Sequence, residues 1–415
     1  MMIRSRKNQS HIEKGLNLVF LAVYLFIVII FFLSQLVESS NKPFWGDETY
    51  GLITNVRGDS YITTLLHGAK QQGSPAPLDY LACKVLDQLK EKVSYFGMSE
   101  EVYFRLFANG ITAFSALMIM FLFRREIVKT KEDITIKTAQ LFLLLCVPIG
   151  YLFAQQIYYY AAETRPYASW NSIFLLVLAT SLLDAKKNWL FFVMLILLSL
   201  SATAAVFQIS AIALAYFMVN LVKWEDFKNI LIKTIGLFLL PLCIVLYYCF
   251  RAGIWDMVRY GASWDDFFKM WVHQSIIIPF MFFVIVLCFK RKENRKYATA
   301  PLAFLILFLL GPLIFWITRL RGFFYSERQF IYYGLTKTVF ILTAIKCLPS
   351  YVKNIRSKTI VLVVIIIFCV VGAAFTLRPK RLKKFEQARV NALKVLNRDW
   401  QGALSLHQET EVVAE

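Results

Sequence analysis

LNLVFLAVYLFIVIIFFLSQL, residues 16–36, decides the fold class. It carries no charged side chain, and Arg4, Arg6, Lys7 and Lys14 stand before it. A helix rises about 1.5 Å per residue, so a stretch of this length crosses a hydrocarbon layer of about 30 Å. It is too long for a signal-peptide core and no small-residue cleavage site follows, so it is expected to stay as a signal anchor.

The rest of the chain repeats this pattern. Of 415 residues 58% are hydrophobic, 37 are phenylalanine, and the mean hydropathy is +0.56. That is more apolar surface than a soluble domain can hide. Apolar blocks bounded by charge predict about eleven spans. They fall at 16–36, 102–123, 138–154, 166–183, a tight pair within 189–222, 234–250, 272–289, 298–318, 329–345 and 359–377. The expected fold is therefore all-α and polytopic, with a membrane domain over 1–377.

The net charge of +19 could suggest nucleic acid. Lys and Arg gathering between apolar blocks is, however, what orientation in a membrane requires, so no nucleic-acid partner is expected. Arg124, Arg125, Lys129 and Lys131, then Lys186 and Lys187, then the basic residues of 290–296 all fall on the side of Arg4 and Lys14. The positive-inside rule makes that side cytoplasmic. The tail 378–415 then lies outside, although Arg378, Lys380, Arg381, Lys383 and Lys384 are basic. Either one span is miscounted, or the tail is an external segment meeting anionic lipid heads or phosphates. The second reading is carried forward.

The longest connection, the external loop 38–101, holds most of the chemistry. Within it Leu78, Leu81, Ala82, Val85, Leu86 and Leu89 share one helical face, and Asp79, Lys84, Asp87, Gln88 and Lys90 the other. This pattern predicts an amphipathic helix lying in the membrane interface. Four constellations stand at external span ends. Phe44-Trp45-Gly46-Asp47-Glu48 puts two carboxylates behind interfacial aromatics, where Asp47 could take a proton from an acceptor hydroxyl or be a solvated loop residue. Gly73-Ser74-Pro75-Ala76-Pro77-Leu78-Asp79-Tyr80 opens the interfacial helix, and alone is a rigid helix start. Glu163-Thr164-Arg165-Pro166-Tyr167 offers an arginine suited to phosphate, or an ordinary interfacial anchor. Ser326-Glu327-Arg328-Gln329 precedes a late span with Lys337 about two turns deeper, a costly lysine unless it snorkels.

Other signals point away from common classes. The seven cysteines show no C-x-x-C spacing, so neither a zinc site nor a disulfide framework is indicated. His67 and His273 lack partners at ligand spacing, and Asp265-Asp266 reads more readily as solvated surface than as a cation site. No Walker sequence, no G-x-S-x-G elbow and no Gly-rich strand-to-helix loop is present, which argues against a nucleotide-handling domain and an energy-coupled pump.

Taken in order, the four constellations resemble the GT-C superfamily of integral-membrane glycosyltransferases, in particular the branch with protein O-mannosyltransferases and bacterial aminoarabinose transferases. Asp47-Glu48 stands where that family has its acidic motif. Ser74 to Tyr80 resembles the end of its first external loop, with Asp79 in place of the usual aromatic. Glu163-Thr164-Arg165-Pro166-Tyr167 resembles its Glu-Ala-Arg-x-Tyr, and Arg328 an arginine before a late span. The likeness covers the first half; Ser201-Ala202-Thr203-Ala204-Ala205 stands where many relatives have a His-Tyr pair.

The resemblance implies an enzyme of the bacterial plasma membrane with its active site on the external or periplasmic side. Its donor would be a polyprenyl-phosphate-linked sugar, and its acceptor a protein, glycolipid or polysaccharide hydroxyl, with inversion at the anomeric carbon. Asp47 would be the general base and Glu48 its support. Arg165, Arg328, Lys84 and Lys337 would bind the donor phosphate, and Trp45, Tyr80, Glu163 and Tyr167 would line the substrate pocket. No cofactor is called; a lone Asp-Glu pair leaves a divalent cation open. The rival readings are a lipid-linked saccharide transporter, which would place charges along a mid-membrane path, and a non-catalytic subunit of a glycosylation complex.

Overall fold

A computed structural model of the chain describes residues 2–44, 46–69, 76–93, 98–130, 132–183, 188–251, 264, 267–268, 271–272, 278–320, 332 and 334–351. Among them every regular element is helical. Helix α1 (Met2–Ser40) is followed by four loop elements: α2 (Gly46–Tyr50), a π-helix (Gly51–Arg57), α3 (Tyr61–His67) and α4 (Leu78–Val93). Then come α5 (Glu100–Lys129), α6 (Ile134–Leu152), α7 (Gln155–Ala161), α8 (Tyr167–Ser181), α9 (Asn188–Ser201) and α10 (Ala205–Asn220). The rest are α11 (Phe227–Arg251), α12 (Ile278–Lys290), α13 (Thr299–Leu309), α14 (Gly311–Leu320) and α15 (Thr336–Tyr351).

Local chemistry sets the helix starts. Ser60, Ser99 and Asp133 each accept a backbone N–H from the first turn they precede, satisfying donors that a helix leaves unpaired. Glu100 and Glu101 add negative charge at the positive end of α5. One continuous core then joins α1, α5, α6, α8, α10 and α13 through Tyr24, Phe31, Ala116, Leu144, Phe174 and Ile212. Within it Tyr24 donates to the Ala116 carbonyl at 2.8 Å, and Trp170 Nε1 to Gln208 Oε1 at 2.7 Å. Outward, Leu18 and Phe26 of α1 and Ile232 and Leu239 of α11 are exposed, as lipid-facing side chains would be.

Among the described residues four helical stretches are long and apolar enough to cross a membrane: Gly15–Ser40, Glu100–Lys129, Ile134–Leu152 and Trp224–Arg251. The other blocks among the described residues form shorter helices. The tight pair within 189–222 is two of them, 14 and 16 residues long, joined at 202–204. The block 298–318 is interrupted at Leu310, between α13 and α14, because Pro312 lacks an N–H and crowds the preceding turn. Helix α15 begins at Thr336, so Lys337 sits exposed in its first turn. The block 359–377 and the tail 378–415 lie outside the described residues.

The interfacial helix is present as α4, with part of its polar face turned into protein. Asp79 and Lys84, expected on the wet side, are 4% and 3% exposed, whereas Val85 and Leu89 are 49% and 43% exposed. Together with Ile62 and Leu66 of α3 these leucines and valine form an apolar surface over a second, smaller core of Leu52, Val56, Tyr80, Cys83, Tyr103 and Phe104.

The helix ends are chemically distinct. At one end Lys137 Nζ meets Glu13 at 2.8 Å, Lys346 pairs with Glu126, and Asn294 donates to Ser350. This draws the basic residues of 124–129 and 290–296 to one end of the bundle. The other end collects the close of α1, the loop helices, the start of α5 and the turn before α8.

Candidate functional site

Three buried ion-pair and capping systems build that second end. Arg105, one turn into α5, uses its whole guanidinium: Nε and Nη2 reach Glu48 Oε1 and Oε2 at 3.4 and 2.9 Å. Nη1 donates to the Ser39 carbonyl at 2.9 Å and to the Lys42 carbonyl, and Nη2 to the Pro43 carbonyl at 3.0 Å. Both charged side chains are fully buried, and the Thr164 N–H also donates to Glu48. Glu48 thereby ties together the end of α1, the start of α5 and the turn 162–166. Next to it, Lys42 Nζ lies 2.6 Å from Glu163 and 4.0 Å from the Tyr159 ring centroid. Burial lowers the Lys42 ammonium's proton affinity while Glu163 holds it up.

The third system is Lys84. Its ammonium donates to the carbonyls of Val56, at 2.6 Å, and Asp59. These are the open carbonyls at the end of the π-helix, groups that need an external donor. Gly58 closes that helix, its N–H reaching the Ile53 carbonyl at 2.9 Å. A Cβ at Gly58 would lie 2.7 Å from the Thr54 carbonyl oxygen, so only glycine fits.

Between these anchors lies a small, partly open cavity of about 10 Å³, room for roughly one water molecule. Glu48, Leu52, Asp79, Tyr80, Thr164 and Arg165 are among its lining residues. Asp79 sits in the first turn of α4 and accepts the Ser169 hydroxyl of α8 at 2.6 Å on Oδ2. Burial pushes its carboxyl up to about 7, against the pull of that hydroxyl and of its own backbone N–H. Burial likewise raises Tyr80 and Cys83, so both keep their protons at neutral pH. Arg165 stacks over Tyr167, 5.4 Å from the ring centroid.

Asp79 has a measurable cost. Its ordinary value is 3.8, so as pH rises the unfolded chain loses the proton first. The folded state is penalised progressively from about pH 4 to about pH 7, and by on the order of 4 kcal/mol above that. Asp79→Asn keeps an oxygen for Ser169 and removes the ionisation. It is expected to raise the melting temperature in detergent, more at pH 8 than at pH 5. An equal shift at both values, or a fall, would contradict the assignment.

The residues expected from sequence divide as follows. Glu48, Tyr80 and Arg165 come together at the cavity; Tyr167 supports Arg165. Glu163 is joined to Lys42, and Lys84 is committed to the π-helix carbonyls, a structural use in place of the expected phosphate contact. Lys337 is not among the lining residues. Asp47 is the second residue of α2, and its side chain lies outside the described residues, as do Trp45, Arg328, Asp265, Asp266 and His273. Among the described residues no three His, Cys, Asp or Glu side chains lie close enough to hold a metal. His67 Nδ1 is 2.7 Å from Arg251 Nη2. Arg105, Lys42 and Ser169 were not singled out by sequence reasoning. For Arg105 the signal was present, since an arginine inside an apolar block is costly without a partner.

Fold and site together define an all-helical protein of the membrane class, with a polar cavity at one end of its bundle. No family model, curated protein or solved structure matches the chain.

Proposed function

We propose that the chain transfers a sugar from a polyprenyl-phosphate donor to an acceptor hydroxyl on the non-cytoplasmic face of a bacterial plasma membrane, in the manner of the GT-C enzymes it resembles. One observation carries the reading. Glu48, Asp79-Tyr80 and Thr164-Arg165, from three segments far apart in sequence, line a single cavity. Chance placement of interfacial anchors would scatter them.

In this reading the acceptor oxygen attacks the anomeric carbon as its proton passes to Asp47. The bond from that carbon to the phosphate oxygen breaks, and the electron pair leaves on the lipid phosphate. Permanent positive charge is needed where that phosphate departs, and Arg165 is the cavity's arginine, with Arg328 the second candidate. Ion pairs gathered at the two ends of the bundle among the described residues favour a surface site over a transport path, which would string charges through the middle.

Purified protein incubated with a panel of labelled polyprenyl-phosphate sugars and envelope extract as acceptor tests the proposal. Labelled product is expected from the wild type. Arg165→Ala should raise the donor KM about tenfold or more, the loss of a charge-assisted contact, with the acceptor KM nearly unchanged. A wild type that forms no product from any donor would remove the reading.

A further inference from the structure

Two buried ion pairs converge on one short turn. Residues 162–166 join α7 to α8 without helical structure of their own, and Arg165 stands among them. Just before it, Glu163 is held by Lys42 at 2.6 Å with both side chains buried, and the Thr164 N–H is held by Glu48, itself clamped by Arg105. Just after it, the Tyr167 ring carries the Arg165 guanidinium. Docking of α7 onto α1 has other supports that involve no charge. Gln35 Nε2 of α1 donates to the Tyr158 carbonyl at 3.0 Å. Phe31 packs edge-on against Phe153 and Tyr158, with ring centroids 6.0 and 6.1 Å away.

A buried ion pair returns little stability relative to apolar side chains of similar size, because both ions lose their water. What it does impose is a fixed placement, since a short charge-assisted hydrogen bond tolerates less sliding than an apolar contact. Glu163 lies two residues before Arg165, and the peptide units between them are planar and stiff, so a shift of Glu163 carries the Arg165 backbone with it. Resting on the reading in which Arg165 meets the donor phosphate, we infer that Lys42 is a positioning residue for Arg165. Through Glu163 it sets where the guanidinium stands, with Glu48 fixing the residue between. Lys42 itself is occupied by Glu163 and the Tyr159 ring and makes no contact with the phosphate. Because Lys42 stands two residues past the end of α1, the device also couples the phosphate arginine to the first membrane span.

A double-mutant cycle on phosphate affinity tests this. A short-chain polyprenyl phosphate without sugar is titrated against detergent-solubilised, monodisperse full-length protein. Lys42→Met/Glu163→Met replaces the pair by apolar side chains of similar length, an exchange expected to leave melting nearly unchanged. It should weaken binding about fivefold or more, and Arg165→Ala about tenfold or more. Combined with Arg165→Ala, the pair replacement should cost no more than about a further twofold, since nothing is left for Lys42 to position. Lys42→Gln, which still offers Glu163 a hydrogen bond, is the milder second variant and should lose about threefold, again only while Arg165 is present. A purely structural pair would lower the melting temperature and leave affinity alone. Wild-type affinity in both Lys42 variants, or losses that add to that of Arg165→Ala, overturns the positioning role and leaves the transfer reading standing. Losses confined to proteins with Arg165, together with no labelled product from the wild type, sustain the positioning role and remove transfer. Failure of the wild type to bind the lipid phosphate, or full binding by Arg165→Ala, overturns the positioning role and the phosphate assignment together.

Discussion

Arg105→Met is expected to give a protein that melts many degrees below the wild type in detergent and is recovered poorly from membranes. The substitution leaves Glu48 without its guanidinium partner in a site with no exposure and strips donors from the carbonyls of Ser39, Lys42 and Pro43. Removing one partner of a buried pair costs about 3–5 kcal/mol, more than the pair contributes relative to an apolar replacement. Arg105→Lys should fare little better, since a single ammonium cannot serve acceptors spread around a planar fork. Adding Glu48→Gln to Arg105→Met should recover part of the loss, because the stranded charge is then gone. Scanning fluorimetry of the two single variants and the double variant is the measurement. A double variant no more stable than Arg105→Met alone would show that the clamp does not work through charge.

The second large effect concerns the neighbouring carboxylate. Asp47→Asn should lower transfer by at least about a hundredfold, the contribution typical of a positioned general base, with little change in melting temperature. The reasoning is by commitment of neighbours. Glu48 holds Arg105 and the Thr164 N–H, which argues against Glu48 as the base and for the assignment to Asp47 that the resemblance implies. Glu48→Gln should show the opposite profile, with stability falling first and turnover falling with it. The two variants assayed side by side, for kcat on a labelled donor and for melting, separate the roles. Normal turnover by Asp47→Asn would remove it as the base.

Much of this architecture is legible in the sequence because it rests on local rules. Ser99 before Glu100-Glu101, Asp133 before an apolar run and Pro77 before α4 mark helix starts. The motifs around Glu48, Tyr80 and Arg165 were also legible, as was their meeting at one end. What escaped was whatever depends on the surroundings of a face. Periodicity separates two sides of α4 but does not tell which meets protein. Near a bilayer the apolar side can be the outer one, so Asp79 and Lys84 turn inward. Hydropathy averaged over 298–318 likewise passes over Pro312, whose effect is stereochemical and confined to one turn. Averaging passes over Arg105 too, although one arginine within an apolar block is costly enough to mark it.

The clamp around Glu48 has an evolutionary corollary. Ser39 and Pro43 enter it through carbonyl oxygens and Thr164 through an amide hydrogen. Main-chain atoms are the same for almost every amino acid. Position 43 could therefore drift in sequence without loosening the clamp, while 48 and 105 would have to change as a pair. Divergent copies of this clamp would share a two-residue signature separated by more than fifty positions.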